Sequence, residues 1–254
     1  SRDNCNAIIQ KSNNTLVLGC MNTVIPNTVK EIGNYAFDCC SGLLKIEVPE
    51  SVTKINSYGF SSCIEATEVN LPNSLEYIGL SAFYNCCKLQ SLYIPTNVST
   101  ITSGSFRKCN SLQSIEVAED NATYDSRDNC NAIIETATNK LVFGNEQTII
   151  PSSVTIIGNS AFYDCVTLTA IYLPNSVTAI ESNAFNGCTG LTHIKVHWET
   201  PLVITSSNNI FKNVDVSTVT LYVPAGTKAM YEAAEVWKDF VTIVEMTSES
   251  DYTL

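Results

Sequence analysis

The sequence has few of the groups that enzymes and membrane proteins usually need. It contains only two histidines among 254 residues, and it lacks the G-x-S-x-G nucleophile motif, the H-E-x-x-H zinc motif and a phosphate-binding glycine loop. No apolar run approaches the ~20 residues that cross a bilayer. We therefore expect no enzyme activity, no catalytic residue, no cofactor and no membrane-spanning segment.

Basic residues are also scarce, with 14 Lys and Arg against 25 Asp and Glu and a formal net charge of -11. Such a balance repels phosphate groups, so nucleic acid and anionic lipid are not expected as partners. The two histidines, His193 and His197, lie on an alternating segment that favours a strand. Strand geometry separates them by roughly 13 Å, which is too far for one metal ion. No metal site is expected.

What the chain does contain is a repeat of 23 residues, P-x-S-V-x-x-I-G-x-x-A-F-x-x-C-x-x-L-x-x-I-x-V. A period of about 20 to 50 residues is typical of a solenoid, in which each coil covers the apolar face of the next. The positions that recur are a proline, a phenylalanine and a cysteine: Pro26, Pro49, Pro72, Pro95, Pro151 and Pro174; Phe37, Phe60, Phe83, Phe106, Phe162 and Phe185; Cys40, Cys63, Cys86, Cys109, Cys165 and Cys188.

The repeat predicts an α/β solenoid, which is a leucine-rich-repeat-like, right-handed array of ~23-residue coils. The end of each repeat alternates apolar and polar residues, and stacking these short strands makes a parallel β-sheet face. Proline ends each strand, where it breaks no ladder. The A-F-x-x-C segment is too short for a stable α-helix and is interpreted as one or two helical turns on the opposite wall.

Two longer units interrupt the array. The nine residues S-R-D-N-C-N-A-I-I at 1–9 recur unchanged at 126–134, and the apolar segments around the polar turn at 10–14 predict an inserted β-hairpin. A helical cap is expected from Thr227 to about Asp239. The native protein is expected to continue before Ser1. The predicted organisation is one domain, 1–254, with a hairpin unit at 1–25, four coils at 26–118, a second hairpin unit at 119–150, two coils at 151–198, and a degenerate coil with the C-terminal cap at 199–254.

Eleven cysteines are present, and most occupy one position of the repeat. Because cysteine is among the most buried residue types, this pattern favours reduced thiols that act as small hydrophobic side chains. Stacked cysteines also come within disulfide range, although an odd total leaves at least one thiol free. The vicinal pairs Cys39-Cys40 and Cys86-Cys87 are interpreted as alternating exposed and buried positions.

The repeat resembles the BspA-like, or Treponema pallidum-type, leucine-rich repeat. The nine-residue motif and the cap sequence Y-V-P-A-G-T-K resemble their versions in surface proteins of gut and oral Bacteroidales. The resemblance implies a secreted or outer-surface protein, often lipid-anchored, of a kind proposed in some members to adhere to host matrix proteins or other bacteria. The family has no shared catalytic motif to carry over.

Two functional hypotheses follow. The first is a monomeric, non-enzymatic adhesion module that binds a protein or glycan on a host or neighbouring bacterial cell, and the second is a purely structural stalk or spacer. The candidate ligand-facing residues point outward from the predicted strands: Glu47, Asn70, Tyr93, Glu116, Tyr172, Lys195 and Tyr222. A second outward row is Lys45, Glu68, Ser91, Ser114, Ala170, His193 and Thr220. These side chains could instead form ladders that shield the sheet, and the hairpins around Asn13 and Asn139 are then the next candidates.

Overall fold

The computed structural model describes residues 5–247, which form two compact units. The first unit comprises the chain up to residue 126 together with 135–137, and the second comprises 127–134 and the chain from 138 onward. Residues 1–4 of the repeated motif and the tail from 248 lie outside the described residues. The organisation as one domain stays a prediction.

Parallel strands in the first unit confirm the solenoid. The predicted hairpin is present, since β1 (Ile8–Gln10) pairs antiparallel with β2 (Thr15–Leu18). The predicted strands of the four coils are also present, each with its apolar residues facing inward. They are β4 (Lys45–Glu47), β6 (Glu68–Asn70), β8 (Ser91–Ile94) and β10 (Ser114–Val117), followed by β11 (Tyr124–Asp125).

A second ladder in the first unit was not predicted. Two-residue strands form at the first isoleucine of each coil and continue the hairpin sheet in parallel from β2. They are β3 (Glu31–Ile32), β5 (Lys54–Ile55), β7 (Tyr77–Ile78) and β9 (Thr100–Ile101). Between the two ladders, each repeat proline begins a tight turn, as in the 3.0 Å bond from the Val52 N–H to the Pro49 carbonyl.

The prediction of helical turns in the A-F-x-x-C segment is wrong. Residues before the alanine and before the cysteine adopt left-handed conformations, for example Ser81 (φ 52°) and Asn85 (φ 59°), and these interrupt any helix. The backbone groups bond instead to the next coil, as in the 2.8 Å bond from the Phe83 N–H to the Ser105 carbonyl. This wall is therefore a stack of turns, and its buried N–H groups are satisfied between coils.

Phenylalanine rings form the core of the first unit. Phe37, Phe60, Phe83 and Phe106 are almost completely buried, and successive rings stack with centroids 4.8, 5.6 and 5.5 Å apart. The repeat places one ring per coil, so the spacing between coils sets the spacing between rings. This ladder explains why the sequence keeps one large aromatic residue at this position.

The second unit repeats the same architecture. Its sheets contain β12 (Ala132–Glu135), β13 (Lys140–Gly144), β14 (Ile156–Ile157) and β16 (Ala179–Ile180) on one side, and β15 (Ala170–Leu173), β17 (His193–Val196), β18 (Thr220–Pro224) and β19 (Thr242–Met246) on the other. The last four strands pair in parallel with continuous register. Strand β19 was missed in the sequence.

The helix of the C-terminal cap is shorter than predicted. Helix α1 (Lys228–Ala233) ends before a separate 3₁₀ turn at Trp237–Asp239, because Ala234 is extended and Val236 has φ 70°. Thr227 occupies the predicted N-cap position, but its side chain makes no capping hydrogen bond; its hydroxyl donates to the Pro224 carbonyl at 2.6 Å. Trp237 and Tyr231 are both fully buried in the cap.

Within residues 5–247, no helix has both the length and the apolar character required to cross a bilayer.

Candidate functional site: the two strand faces

The outward side chains of β4, β6, β8 and β10 form a surface that we call the first strand face: Lys45, Glu47, Glu68, Asn70, Ser91, Tyr93, Ser114 and Glu116. Register brings Lys45 beside Glu68 and Glu47 beside Asn70. It also brings Tyr93 beside Glu116. Its four predicted ligand-facing residues, Glu47, Asn70, Tyr93 and Glu116, are exposed. The tyrosine is the largest side chain in this surface.

On the first strand face, the charged side chains of β4 and β6 pair with one another. The Lys45 ammonium lies 2.6 Å from Glu47 and 3.0 Å from Glu68, and the Asn70 amide donates to both Glu47 oxygens at 3.2 and 3.0 Å. The hydrogen bond from Lys45 holds the pKa of Glu47 below its usual range, with the Asn70 amide adding to the effect. Because these groups are exposed, such pairs contribute little to stability.

The second strand face is formed by the outward side chains of β15, β17, β18 and β19: Ala170, Tyr172, His193, Lys195, Thr220, Tyr222, Thr242 and Val244. Register aligns Tyr172, Lys195, Tyr222 and Val244 in one row across the four strands. The predicted ligand-facing residues Tyr172, Lys195 and Tyr222 are half-buried. Sequence reasoning missed Thr242 and Val244, although the alternation from Thr242 to Met246 signals their strand.

Aromatic and cationic groups stack on the second strand face. The His193 ring is nearly parallel to Tyr222 with centroids 5.9 Å apart, and the Lys195 ammonium lies 6.0 Å from the same tyrosine centroid. The His197 ring lies 4.6 Å from Tyr172 at the edge of the face. Burial, reinforced by the nearby Lys195 charge, lowers the pKa of His197. The histidines therefore serve as stacking partners here.

The two faces differ in charge. Three of the eight positions in the first strand face are glutamates, whereas the corresponding rows of the second contain no carboxylate. This difference is unexpected in a chain with 25 acidic and 14 basic residues. Strand β19 extends this difference by adding Thr242 and Val244 to the second face.

The repeats identify the family. A family model described as the BspA type leucine-rich repeat region, in six copies, matches residues 18–134 and 139–234. The chain belongs to the BspA-type leucine-rich repeat family. The resemblance that the sequence showed is thus confirmed, and so is the solenoid fold.

Solved bacterial structures share the fold of this BspA-type chain. A leucine-rich cell surface protein from Faecalibacterium prausnitzii is 22% identical with a TM-score of 0.58, over 89% of this chain and 72% of that one. A leucine-rich repeat protein from Eubacterium ventriosum is 21% identical with a TM-score of 0.54, over 78% and 64%. One from Bacteroides ovatus is 20% identical with a TM-score of 0.52, over 95% and 67%. No curated protein sequence matches the chain.

The hairpin tips of the BspA-type chain, which are the alternative candidates, have different surroundings. Asn13 is exposed, and its side-chain oxygen accepts the Thr15 N–H at 3.2 Å. Asn139 is half-buried and accepts a 2.8 Å hydrogen bond from Arg127. The Asn13 side chain thus has a local role in turn geometry, whereas the Asn139 side chain joins its hairpin tip to Arg127.

The repeat cysteines contribute to packing. All eleven cysteines are free thiols in the structure, and five of the six repeat cysteines are buried: Cys63, Cys86, Cys109, Cys165 and Cys188. The Cys86 thiol donates to the Phe60 carbonyl of the preceding coil at 3.2 Å, and Cys63, Cys109 and Cys188 make the same contact. A thiol suits this position because it is small, apolar and a weak donor.

Burial also suppresses the reactivity of these thiols. It raises the pKa of Cys165 to about 11 and that of Cys109 to about 12. Because the thiolate is the reactive form, we expect a maleimide to label the exposed Cys20 and Cys39 of the native chain and to leave the five buried thiols unlabelled. Intact-mass measurement should show all eleven labelled after unfolding. Mapping of four or five disulfides would contradict this prediction.

Proposed function

We propose that the chain is a non-enzymatic binding module of a secreted or outer-surface protein. Its strand faces bind a protein or glycan on a host or neighbouring bacterial cell. The observation that carries this proposal is the pair of strand faces, where polar and aromatic side chains project in register from a fixed ladder of strands. Such a surface is continuous and rigid, and solenoids commonly bind ligands through it.

The membership in the BspA-type family and the name of the F. prausnitzii structure, a cell surface protein, support the proposed location. The arrangement of titratable groups supports a binding function over a catalytic one. Among residues 5–247, no three His, Cys, Asp or Glu side chains are grouped so that they could hold a metal ion. The buried thiols have raised pKa values, which disfavours nucleophilic chemistry.

A structural spacer is the second candidate, and the first strand face favours it. There Lys45, Glu47, Glu68 and Asn70 satisfy one another through ion pairs and hydrogen bonds. A surface whose charges are already paired gains less from a ligand. The second strand face lacks such a carboxylate network, and this difference favours binding for the chain as a whole.

An array of glycans and of host and bacterial surface proteins, probed with the purified chain, separates the two functions. A binding module is expected to retain at least one ligand after washing at physiological salt, and that ligand should also bind in solution. A spacer is expected to retain none. An array without a reproducible ligand would contradict the proposal.

The double variant Tyr93→Ala/Tyr172→Ala is expected to weaken binding of the array ligand at least about ten-fold, because aromatic side chains supply much of the affinity at interfaces. Circular dichroism should show an unchanged fold. Tyr35→Ala is the matched control: Tyr35 is exposed but stacks on Tyr58 at 4.8 Å, away from the strand faces. If the double variant binds as tightly as the parent, the strand faces are excluded as the site, and the hairpins around Asn13 and Asn139 become the next candidates.

A further inference from the structure

The charged groups of the second strand face are opposite in sign to the net charge of the chain. The chain has a net charge of -11, yet the outward rows of this face present Lys195, His193 and no carboxylate; Glu245 of β19 lies in the other row, opposite the buried Val223. Its remaining polar tips are the hydroxyls of Tyr172, Tyr222 and two threonines. Lysine, tyrosine, threonine and imidazole all donate hydrogen bonds, so the face is rich in donors.

The aromatic rings on this face are largely covered by their neighbours. The His193 ring stacks on the Tyr222 ring, and the Lys195 ammonium lies beside it. The His197 ring packs on Tyr172. A ligand therefore contacts mainly the polar ends of these side chains, and the face offers no pocket for an apolar side chain. Protein interfaces usually depend on aromatic or apolar anchors that fill pockets, so this surface is better suited to a polar ligand.

We infer that the second strand face binds an anionic polysaccharide, one that carries sulfate or carboxylate groups along its length. This inference rests on the proposed binding function and names the ligand class. Charge complementarity supports it, because anionic groups accept hydrogen bonds from Lys195, the imidazoles and the hydroxyls. The donors recur from strand to strand at about 4.8 Å, which suits a linear ligand lying across the strands.

An acidic peptide is less suited to the same face. A peptide brings one backbone N–H donor for nearly every carbonyl acceptor, and each buried N–H needs an acceptor in the site. The second strand face offers hydroxyls but no carboxylate for that purpose. Sugar hydroxyls can rotate to donate or accept, so a polysaccharide leaves fewer groups unsatisfied.

The test measures binding of the intact chain to dextran sulfate, polygalacturonate, neutral dextran and polyglutamate. We expect one or both of the anionic polysaccharides to bind, with an affinity that falls as salt is added. Neutral dextran should bind at least about ten-fold more weakly because it has no anionic group to accept charge-assisted hydrogen bonds. Polyglutamate should also bind at least about ten-fold more weakly, because its backbone N–H groups find too few acceptors in the site. The sulfated and carboxylated probes show which anion is preferred.

Lys195→Gln locates the site and is expected to weaken binding about ten-fold. Lys88→Gln removes the same charge outside both strand faces, where Lys88 pairs with Glu65 at 2.6 Å, and should change affinity less than about two-fold. His193→Gln, at an exposed position, provides a second variant of the site if Lys195→Gln folds poorly. Equal losses in Lys88→Gln and Lys195→Gln would overturn the location.

Two results would overturn the assignment of the ligand class. If neither anionic polysaccharide binds, the inference is overturned, whereas the proposed binding function is still decided by the array. If polyglutamate binds as tightly as the polysaccharides, the face recognises acidic polymers in general, and the assignment to a polysaccharide is overturned.

Discussion

Replacement of Phe83 by alanine is expected to lower the free energy of unfolding of the first unit by about 3–5 kcal/mol. Phe83 is completely buried and stacks between Phe60 and Phe106, with centroids 5.6 and 5.5 Å away. The coils above and below are joined by hydrogen bonds, as in the Phe60 N–H bond to Ala82, so they cannot move together to fill the cavity. The variant buries less apolar surface, and it also loses the stacking contacts with the two neighbouring rings.

Urea unfolding followed by circular dichroism measures this effect through the midpoint of the transition. The control is Tyr35→Ala, which also removes an aromatic residue from a stacked pair but at an exposed position, and should cost less than about 1 kcal/mol. Similar losses in Phe83→Ala and Tyr35→Ala would show that the phenylalanine ladder is not the core of the unit.

Trp237→Ala is expected to destabilise the second unit by a similar amount, about 3–5 kcal/mol. The Trp237 ring is fully buried against Trp198, Phe211 and Tyr231, and its indole N–H donates to the Leu202 carbonyl at 2.8 Å. Loss of the ring opens the cap and leaves the last coil exposed, which is the vulnerable end of a repeat array.

The fluorescence of Trp198 reports on this cap directly. The chain has two tryptophans, and Trp198 is buried beside Trp237, so the variant should show red-shifted emission as well as a lower unfolding midpoint. Met230→Ala is the matched control, because Met230 lies on α1 of the same cap and is 43% exposed. An unchanged midpoint in Trp237→Ala would mean that the cap does not stabilise the array.

Much of the fold could be predicted because a solenoid repeats its physical environment with its sequence. The 23-residue period correctly placed the outward residues, the phenylalanine ladder and the buried cysteines, since each coil meets a copy of itself. The hairpin at β1 and β2 could be predicted because its apolar segments flank a polar turn. These features depend on local pattern alone.

Other features depend on contacts that no local pattern reveals. Strands of two residues, such as β3, are too short to show alternation, and they form because the next coil supplies partners. The left-handed residues of the turn wall include Tyr35, Tyr58 and Ser81, none of which signals a positive φ as glycine does. The helix after Thr227 was predicted too long because Met230, Ala233 and Trp237 have helical spacing, yet Val236 breaks the segment.

The candidate site was only partly predictable. Alternation identified the outward positions, but the stacking of His193 on Tyr222 depends on strand register. The role of β19 was hidden because its sequence follows the cap, outside the 23-residue pattern. The net charge of the whole chain gives no indication that the outward rows of one strand face lack carboxylates.

Covalent footprinting of the chain with and without its array ligand tests the central claim most directly. If the strand faces bind the ligand, labelling should fall at Lys195 and Tyr222, at Tyr93, or at both sets. The control residues Tyr35, on the turn wall, and Lys88, in the turn that follows the repeat cysteine Cys86, should keep their labelling. Protection of Tyr35 and Lys88 with unchanged labelling of the strand faces would contradict the account.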